Sequence, residues 1–203
     1  FPSRCISCKR LGGSLCYICK KSWAPRALQV KISRKPEFVV YSAITYSDIA
    51  ASVILAAKES HIKSADLLVA DAISYSLTQW LEREWVDTLI PIPSRKSAAR
   101  KRGRQFIEEM AQLVSITSGI KVASPLEHSR MVRDQSGLGY ELRRNNLAGA
   151  LVVNGNPQGL GRALLVDDLV TTGATLNEGA RALRYAGIEV VGAVTAAIAQ
   201  TVR

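Results

Sequence analysis

Residues 164–176 read Leu-Leu-Val-Asp-Asp-Leu-Val-Thr-Thr-Gly-Ala-Thr-Leu. An apolar run, two adjacent acids, a Thr/Gly turn and then helix formers leave few folding options. They specify a buried strand over 163–166, a tight loop, and a helix over about 174–186. Gly187 follows at the position where a left-handed residue commonly ends a helix. An apolar segment over 188–199 then supplies a closing strand. The rest of the chain repeats this alternation. Residues 38–46 read as strand, with Ser47 or Asp48 capping a helix that runs through Lys58. Ile49, Val53, Ala56 and Ala57 share one face of it. A second helix is expected over about 64–81, with Leu67, Leu68, Ala72, Ile73 and Leu77 inward. Residues 85–92 read as a buried strand ended by prolines. Residues 106–116 form an amphipathic helix with Phe106, Met110, Leu113 and Val114 inward. Shorter strands are expected over 121–123 and 150–153. Strands alternating with helices imply an α/β fold with a mostly parallel sheet covered on both faces.

In such a sheet, ligands sit beyond the carboxyl ends of the strands. Asp167 and Asp168 fall at that end. Thr171, Thr172, Gly173, Ala174 and Thr175 lead straight into a helix N-terminus, where backbone N–H groups and the helix dipole favour an anion. Threonine hydroxyls add donors, and Gly173 permits close approach. The loop fits a phosphate, and the acids fit neighbouring sugar hydroxyls. Together they suit a ribose 5-phosphate. An ordinary acidic turn before a capped helix has the same outline. No G-x-x-x-x-G-K-[ST] is present, which argues against a nucleotide-hydrolysing P-loop. The segments starting at Gly137 and Gly159 lack the third glycine of a dinucleotide fingerprint.

Cys5, Cys8, Cys16 and Cys19 form two C-x-x-C pairs seven residues apart. Two such knuckles complete a four-cysteine structural zinc site, with Gly12 and Gly13 supplying the reversal between them. The alternatives are a disulfide pair, disfavoured in a reducing compartment, or a redox pair. Four cysteine ligands leave no open position for catalysis at the metal. His61 and His128 carry no metal assignment. The chain divides into a zinc-binding module (1–22), a basic linker (23–36) and a main domain (37–203). The first residue is Phe1 rather than Met, which points to a start further upstream. No apolar stretch reaches 18 residues, so no membrane span is expected. With no secretory pattern before the first cysteine, a cytoplasmic location is the expectation.

The formal net charge is +10, and six of the ten residues 95–104 are Arg or Lys. This excess favours anionic partners. The run has three readings: it binds pyrophosphate, it tracks a nucleic-acid backbone, or it is a solvated face. Few aromatics interleave with it, so no stacking platform for single strands is evident. Residues 125–146 are polar and too long for an ordinary connection, which marks them as functional or mobile.

The 164–176 stretch resembles the phosphoribosyl pyrophosphate signature of type I phosphoribosyltransferases. The whole chain resembles the ComF family of competence-associated, phosphoribosyltransferase-like proteins. The double cysteine knuckle carries the resemblance. So do Pro91-Ile92-Pro93 before the basic run, Arg102-Gly103-Arg104-Gln105, and Asp134-Gln135 with Leu138, Arg143, Asn146 and Leu147. The resemblance implies a phosphoribosyltransferase-like domain behind a four-cysteine zinc module. Asp167 and Asp168 would contact the ribose hydroxyls, and residues 171–175 would cradle the 5-phosphate. Ser94 and Arg95 would face the pyrophosphate, with Lys58 near it. Arg102, Gln105, Gln135, Arg143 and Asn146 would complete the ligand site, the last three on a mobile cover. Asp167, Asp168 and Arg95 are the candidate catalytic residues. The implied cofactors are structural Zn²⁺ and Mg²⁺ carried with phosphoribosyl pyrophosphate, since Mg²⁺ commonly relies on phosphates and water rather than a protein cage. Catalysis would rest on stabilising an oxocarbenium-like centre and the leaving pyrophosphate. The acceptor is not specified. The alternative is a non-catalytic protein that senses phosphoribosyl pyrophosphate, or that binds single-stranded DNA or a competence helicase during DNA uptake. The family pattern Arg-Gly-Phe-Asn-Gln is Arg102-Gly103-Arg104-Gln105-Phe106 here, so a second arginine replaces the Phe-Asn pair.

Overall fold

A computed structural model describes residues 3–32, 37–129 and 149–199. The elements in chain order are α1 (Tyr17–Ser22), β1 (Leu28–Ile32), β2 (Phe38–Thr45), α2 (Asp48–Ser60), α3 (Lys63–Leu81), β3 (Thr88–Pro91), α4 (Lys96–Arg102), α5 (Phe106–Ser118), β4 (Lys121–Val122), β5 (Leu126–His128), β6 (Leu151–Val153), β7 (Ala163–Val170), α6 (Ala174–Tyr185) and β8 (Val190–Ile198).

The main sheet has the order β1-β2-β8-β7-β3-β4. Its pairings are parallel from β2 to β4, and β1 adds antiparallel at the edge of β2. β7 and β8 are apolar and buried over most of their length, as strands covered on both faces must be. Residues of α2, α3 and α5 pack with Leu164, Val166 and Val194 on one face. Residues of α6 and of the β5–β6 pair cover Ala163, Leu165 and Ala193 on the other. Leu165 thus faces away from its neighbours Leu164 and Val166, as strand pleating requires.

The local start signals operate as expected. Ser47 caps α2 by accepting the Ala50 N–H at 3.3 Å. Gly119 and Gly187 take left-handed backbone after α5 and α6. The described parts of the sequence depart from expectation at several points. Leu28–Ile32 of the basic 23–36 segment forms edge strand β1, because the free edge of β2 offers its backbone partners. The basic run folds as short helix α4 rather than an open loop. Trp85 is 68% exposed and β3 begins only at Thr88. Leu67 is 55% exposed, since α3 buries the stripe of Ala65, Val69, Ile73 and Leu77 instead.

The cysteine module is joined to this core. Ile6 and Trp23 are buried in the same apolar cluster as residues of β2, α2 and α3, and the Arg26 N–H donates to Ala43 O at 2.7 Å. On the far face, buried Glu178 of α6 accepts the Leu151 N–H at 3.1 Å. Arg181 spans Glu178 and Leu151 O. This clamp fixes β6 against α6.

Trp80 of α3 stacks edge-on against Tyr41, centroids 5.6 Å apart, and presses onto Gly192 of β8. A Cβ at Gly192 would collide with the Trp80 ring and lie 2.8 Å from Val39 O. Gly192→Ala is therefore expected to destabilise the protein by about 1–3 kcal/mol through overpacking, read as a lowered midpoint in thermal or urea unfolding. An unchanged midpoint would show that the ring and backbone yield freely there.

Candidate functional site

The helices over the sheet change sides between β7 and β3. The β3-to-β4 connection runs through α5 on one face, and the β7-to-β8 connection runs through α6 on the other. The crevice at the carboxyl ends of these two neighbouring strands is the topological switch point, where open α/β sheets bind ligands. Asp167, Asp168 and the Thr/Gly loop leave β7 there. Pro91, Ile92 and Pro93 leave β3 beside them, with the Ile92 N–H donating to Val166 O at 2.9 Å.

β7 continues past Val166, because Asp167 pairs in register with Thr195 and Leu169 with Ala197. The acids therefore belong to the strand rather than to the turn after it. Asp168 is on the face of α2 and α5. Lys58, in the last turn of α2, sets its Nζ 2.7 Å from Asp168 Oδ2, with the two side chains 28% and 7% exposed. The ammonium also lies 5.9 Å from the centre of the buried Phe106 ring. Asp167 is partly buried, and its Oδ1 accepts the Asp168 N–H at 2.9 Å. Burial, then the adjacent Asp168 charge, pushes the Asp167 carboxyl well above the ordinary carboxylate range, while Lys58 opposes the rise.

Gly173 starts α6 in left-handed backbone (φ +70°). A side chain there would collide with Ile32 of β1. The glycine is thus required both for the turn and for the strand beneath it. It supplies no capping side chain. The Ala174 N–H makes only a 3.4 Å contact with Thr172 Oγ1. Thr171, Thr172 and Thr175 are exposed and Ala174 is partly buried. Weakly capped amides, a helix dipole and surface hydroxyls are what an anion uses.

Ser94 and Arg95 follow β3. Arg95 is exposed at the start of α4 and Ser94 is partly buried. α4 buries none of its own residues. Polar contacts to the end of α2 hold it: Arg102 Nε donates to Glu59 Oε1 at 2.7 Å, and His61 Nε2 meets Arg102 O at 2.7 Å. Arg104, the residue that departs from the family pattern, is turned inward. It pairs with Asp66 at 3.0 Å and Glu109 at 2.7 Å and lies over Phe106. Its Nε and Nη2 make no well-angled hydrogen bond. The basic run thus divides into anchored Arg102 and Arg104, Lys96 at the cavity rim 3.8 Å from Glu127, and exposed Arg95, Arg100 and Lys101. Gln105 lines a cavity of about 320 Å³ with Ile92, Ser94, Glu108, Glu127 and His128. His128 Nε2 lies 3.1 Å from Pro93 O. Burial, with Arg95 and Lys96 nearby, lowers its pKa. The cavity wall and the Glu178–Arg181 clamp had no signal in motif spacing; only the Glu–Arg separation of three on a helix hinted at the second. Gln135, Arg143 and Asn146 lie outside the described residues.

At the N-terminus, the sulfurs of Cys5, Cys8, Cys16 and Cys19 lie within 4.8 Å of one another and form no disulfide. Tetrahedral thiolates at ~2.3 Å from one ion would sit ~3.8 Å apart. Cys8 and Cys16 sulfurs are already 3.5 Å apart. Burial raises the Cys5 thiol, but N–H donors from Cys16, Cys8 and Ser7 outweigh it and bring the pKa down to about 6. The four cysteines are positioned to hold a metal ion. Among the described residues, no helix is long and apolar enough to cross a membrane.

The raised pKa of Asp167 has a stability consequence. Its folded pKa exceeds the unfolded one, so ionisation opposes folding. The penalty is absent below the unfolded pKa, grows as pH rises toward the folded value, and is complete above it. Asp167→Asn should therefore melt above the wild type near neutral pH, with the gap closing as pH falls toward the ordinary carboxylate range. A variant that melts lower at every pH would refute this account.

No family model matches the chain. Over 106 residues, 51% of its length, it is 33% identical to Competence protein F of Haemophilus influenzae, and the match spans 46% of that protein. Among solved structures, orotate phosphoribosyltransferase from Aeropyrum pernix aligns with 87% of this chain and 77% of its own, at 18% identity and a TM-score of 0.44. Adenine phosphoribosyltransferase from Saccharomyces cerevisiae aligns with 89% of this chain and 86% of its own, at 10% identity and a TM-score of 0.45. In sequence, the chain is similar to Competence protein F over half of its length, and that likeness sits on an α/β fold with a mostly parallel sheet.

Proposed function

We propose that the chain is a phosphoribosyltransferase-like protein of DNA uptake that binds phosphoribosyl pyrophosphate with Mg²⁺ and transfers the phosphoribosyl group to an acceptor. One observation carries the reading: an acid pair and a weakly capped Gly/Thr helix entry share the end of β7, at the switch point beside the β3 loop. A ribose phosphate needs both. The N–H groups of 171–175 would hold the 5-phosphate, and the acidic end of β7 would face the ribose hydroxyls. Ser94 and Arg95, after β3, would face the pyrophosphate. Fixing the sugar by both ends leaves its anomeric carbon oriented between the pyrophosphate and an incoming acceptor. Arg95 would stabilise the charge that grows on pyrophosphate as the C–O bond breaks.

Among the described residues, the carboxylates at the end of β7 are Asp167 and the lysine-paired Asp168. That set suits a Mg²⁺ that arrives on the ligand's phosphates rather than a resident ion. When bound, Mg²⁺ would offset pyrophosphate charge. The four cysteines fit a structural Zn²⁺ by donor type and spacing. A cytoplasmic location is part of the same proposal.

A second reading is favoured by the surface. Arg95, Arg100 and Lys101 are exposed at and along α4, and Leu11, Tyr17 and Ile18 are exposed on the cysteine module beside Lys20 and Lys21. This arrangement suits a sensor of phosphoribosyl pyrophosphate that engages single-stranded DNA or a competence helicase without turnover.

Calorimetric titration with phosphoribosyl pyrophosphate and Mg²⁺ should show binding that the Asp167→Asn/Asp168→Asn double variant loses by at least about tenfold. Equal binding by both proteins would remove the assigned site. Pyrophosphate release across a panel of acceptors would establish transfer, and binding with no release under any condition would favour the sensor. Metal analysis should give one zinc per chain. Stripping it with a chelator should lower the melting temperature, because Ile6 and Trp23 tie the module to the core. Two disulfides in place of zinc would overturn that assignment.

A further inference from the structure

The two acids of β7 are not equivalent, and their difference assigns a role to Lys58. Asp168 is the more buried of the pair and is already matched by the Lys58 ammonium at 2.7 Å. Asp167 is partly exposed; its Oδ1 accepts the following backbone N–H at 2.9 Å, and the Lys58 charge acts on it only through space. The surroundings of Lys58 favour this pairing. It lies in the α2 turn that Glu59 and His61 fasten to Arg102, and it sits over the Phe106 ring. A carboxylate this enclosed needs a fixed counter-charge, since an unpaired buried charge is strongly destabilising.

We propose that Asp167 is the carboxylate that accepts the sugar hydroxyls, while Asp168 and Lys58 form a buried ion pair that joins α2 to β7 and positions Asp167. Lys58 is thus a positioning residue acting through Asp168, not a ligand of the pyrophosphate. The ion pair also links the ligand crevice to α4, because the α2 turn that carries Lys58 holds that basic helix. This proposal rests on the ribose phosphate reading for the role of Asp167, but the ion pair is testable without any ligand.

The test combines thermal melting in the absence of ligand with calorimetric titration of phosphoribosyl pyrophosphate and Mg²⁺. Asp167→Asn should weaken binding by about 10- to 100-fold, the loss of a hydrogen bond to a charged group, with no fall in melting temperature. Asp168→Asn and Lys58→Met should each lower the melting temperature and weaken binding less than Asp167→Asn does. The Lys58→Met/Asp168→Asn double variant should melt no lower than the worse single variant, since each change removes the same pair. Lys58→Arg should restore much of both properties. The proposal is overturned if Asp168→Asn abolishes binding with unchanged melting, or if the two single-variant melting losses add. It is also overturned if Lys58→Met weakens binding while melting like the wild type. If no protein binds phosphoribosyl pyrophosphate, the ribose phosphate reading and the role of Asp167 fail together, while the melting cycle still decides the ion pair.

Discussion

The structure depends on β7 being hydrogen-bonded on both sides, to β8 and to β3, while helices cover both of its faces. That constraint demands an apolar strand, and residues 163–166 meet it completely. It also makes the end of the strand exceptional. Two acids occur where the sheet is still paired, so their charge must be managed inside the fold. Asp168 is matched by a lysine from a different element. Asp167 is left with a carboxyl that resists ionisation. A strand that served packing alone would avoid both costs. Local instability of this kind is common where a site is held ready for a ligand.

The parts around β7 serve the same crevice. α2 brings Lys58 from one side. The loop after β3 lies against Val166 from another. Gly173 lets α6 begin directly above Ile32 of β1, so an edge strand from a basic segment ends up beneath the helix entry. α4 has almost no apolar anchorage. Glu59 and His61 hold Arg102 at one end and Glu127 lies 3.8 Å from Lys96 at the other, which leaves Arg100 and Lys101 exposed. Arg104 is the last cation of the basic run. It folds inward onto Asp66, Glu109 and Phe106, so the extra charge it adds to the sequence is neutralised within the protein.

The cysteine module follows the same logic on a smaller scale. Its chemistry is local: two knuckles converge on one point. Its attachment is not, because Ile6 and Trp23 are buried in the same apolar cluster as residues of β2, α2 and α3. Metal held there would therefore support the face of the sheet that carries Lys58. The likeness to Competence protein F covers half of this chain, and the fold gives that likeness a physical setting.

Much of this was legible in the residues. Apolar runs and helical spacing specify an α/β chain with a parallel sheet, because pleating and the helical repeat impose distinct periods on what must be buried. The 164–176 stretch specifies a strand, an acidic end and a glycine-dependent helix entry, because these are contacts between near neighbours. The cysteine spacing specifies convergence for the same reason. What tertiary structure alone decided are the long-range pairings. No local rule says that Lys58 meets Asp168, that Glu178 and Arg181 clamp Leu151, that Ile32 lies under Gly173, or that Arg102 and Arg104 turn away from solvent. Edge pairing likewise made a strand of 28–32, where composition pointed only to a linker. Each depends on which surfaces the sheet order brings together, and that order is set by the burial of whole elements rather than by any one segment.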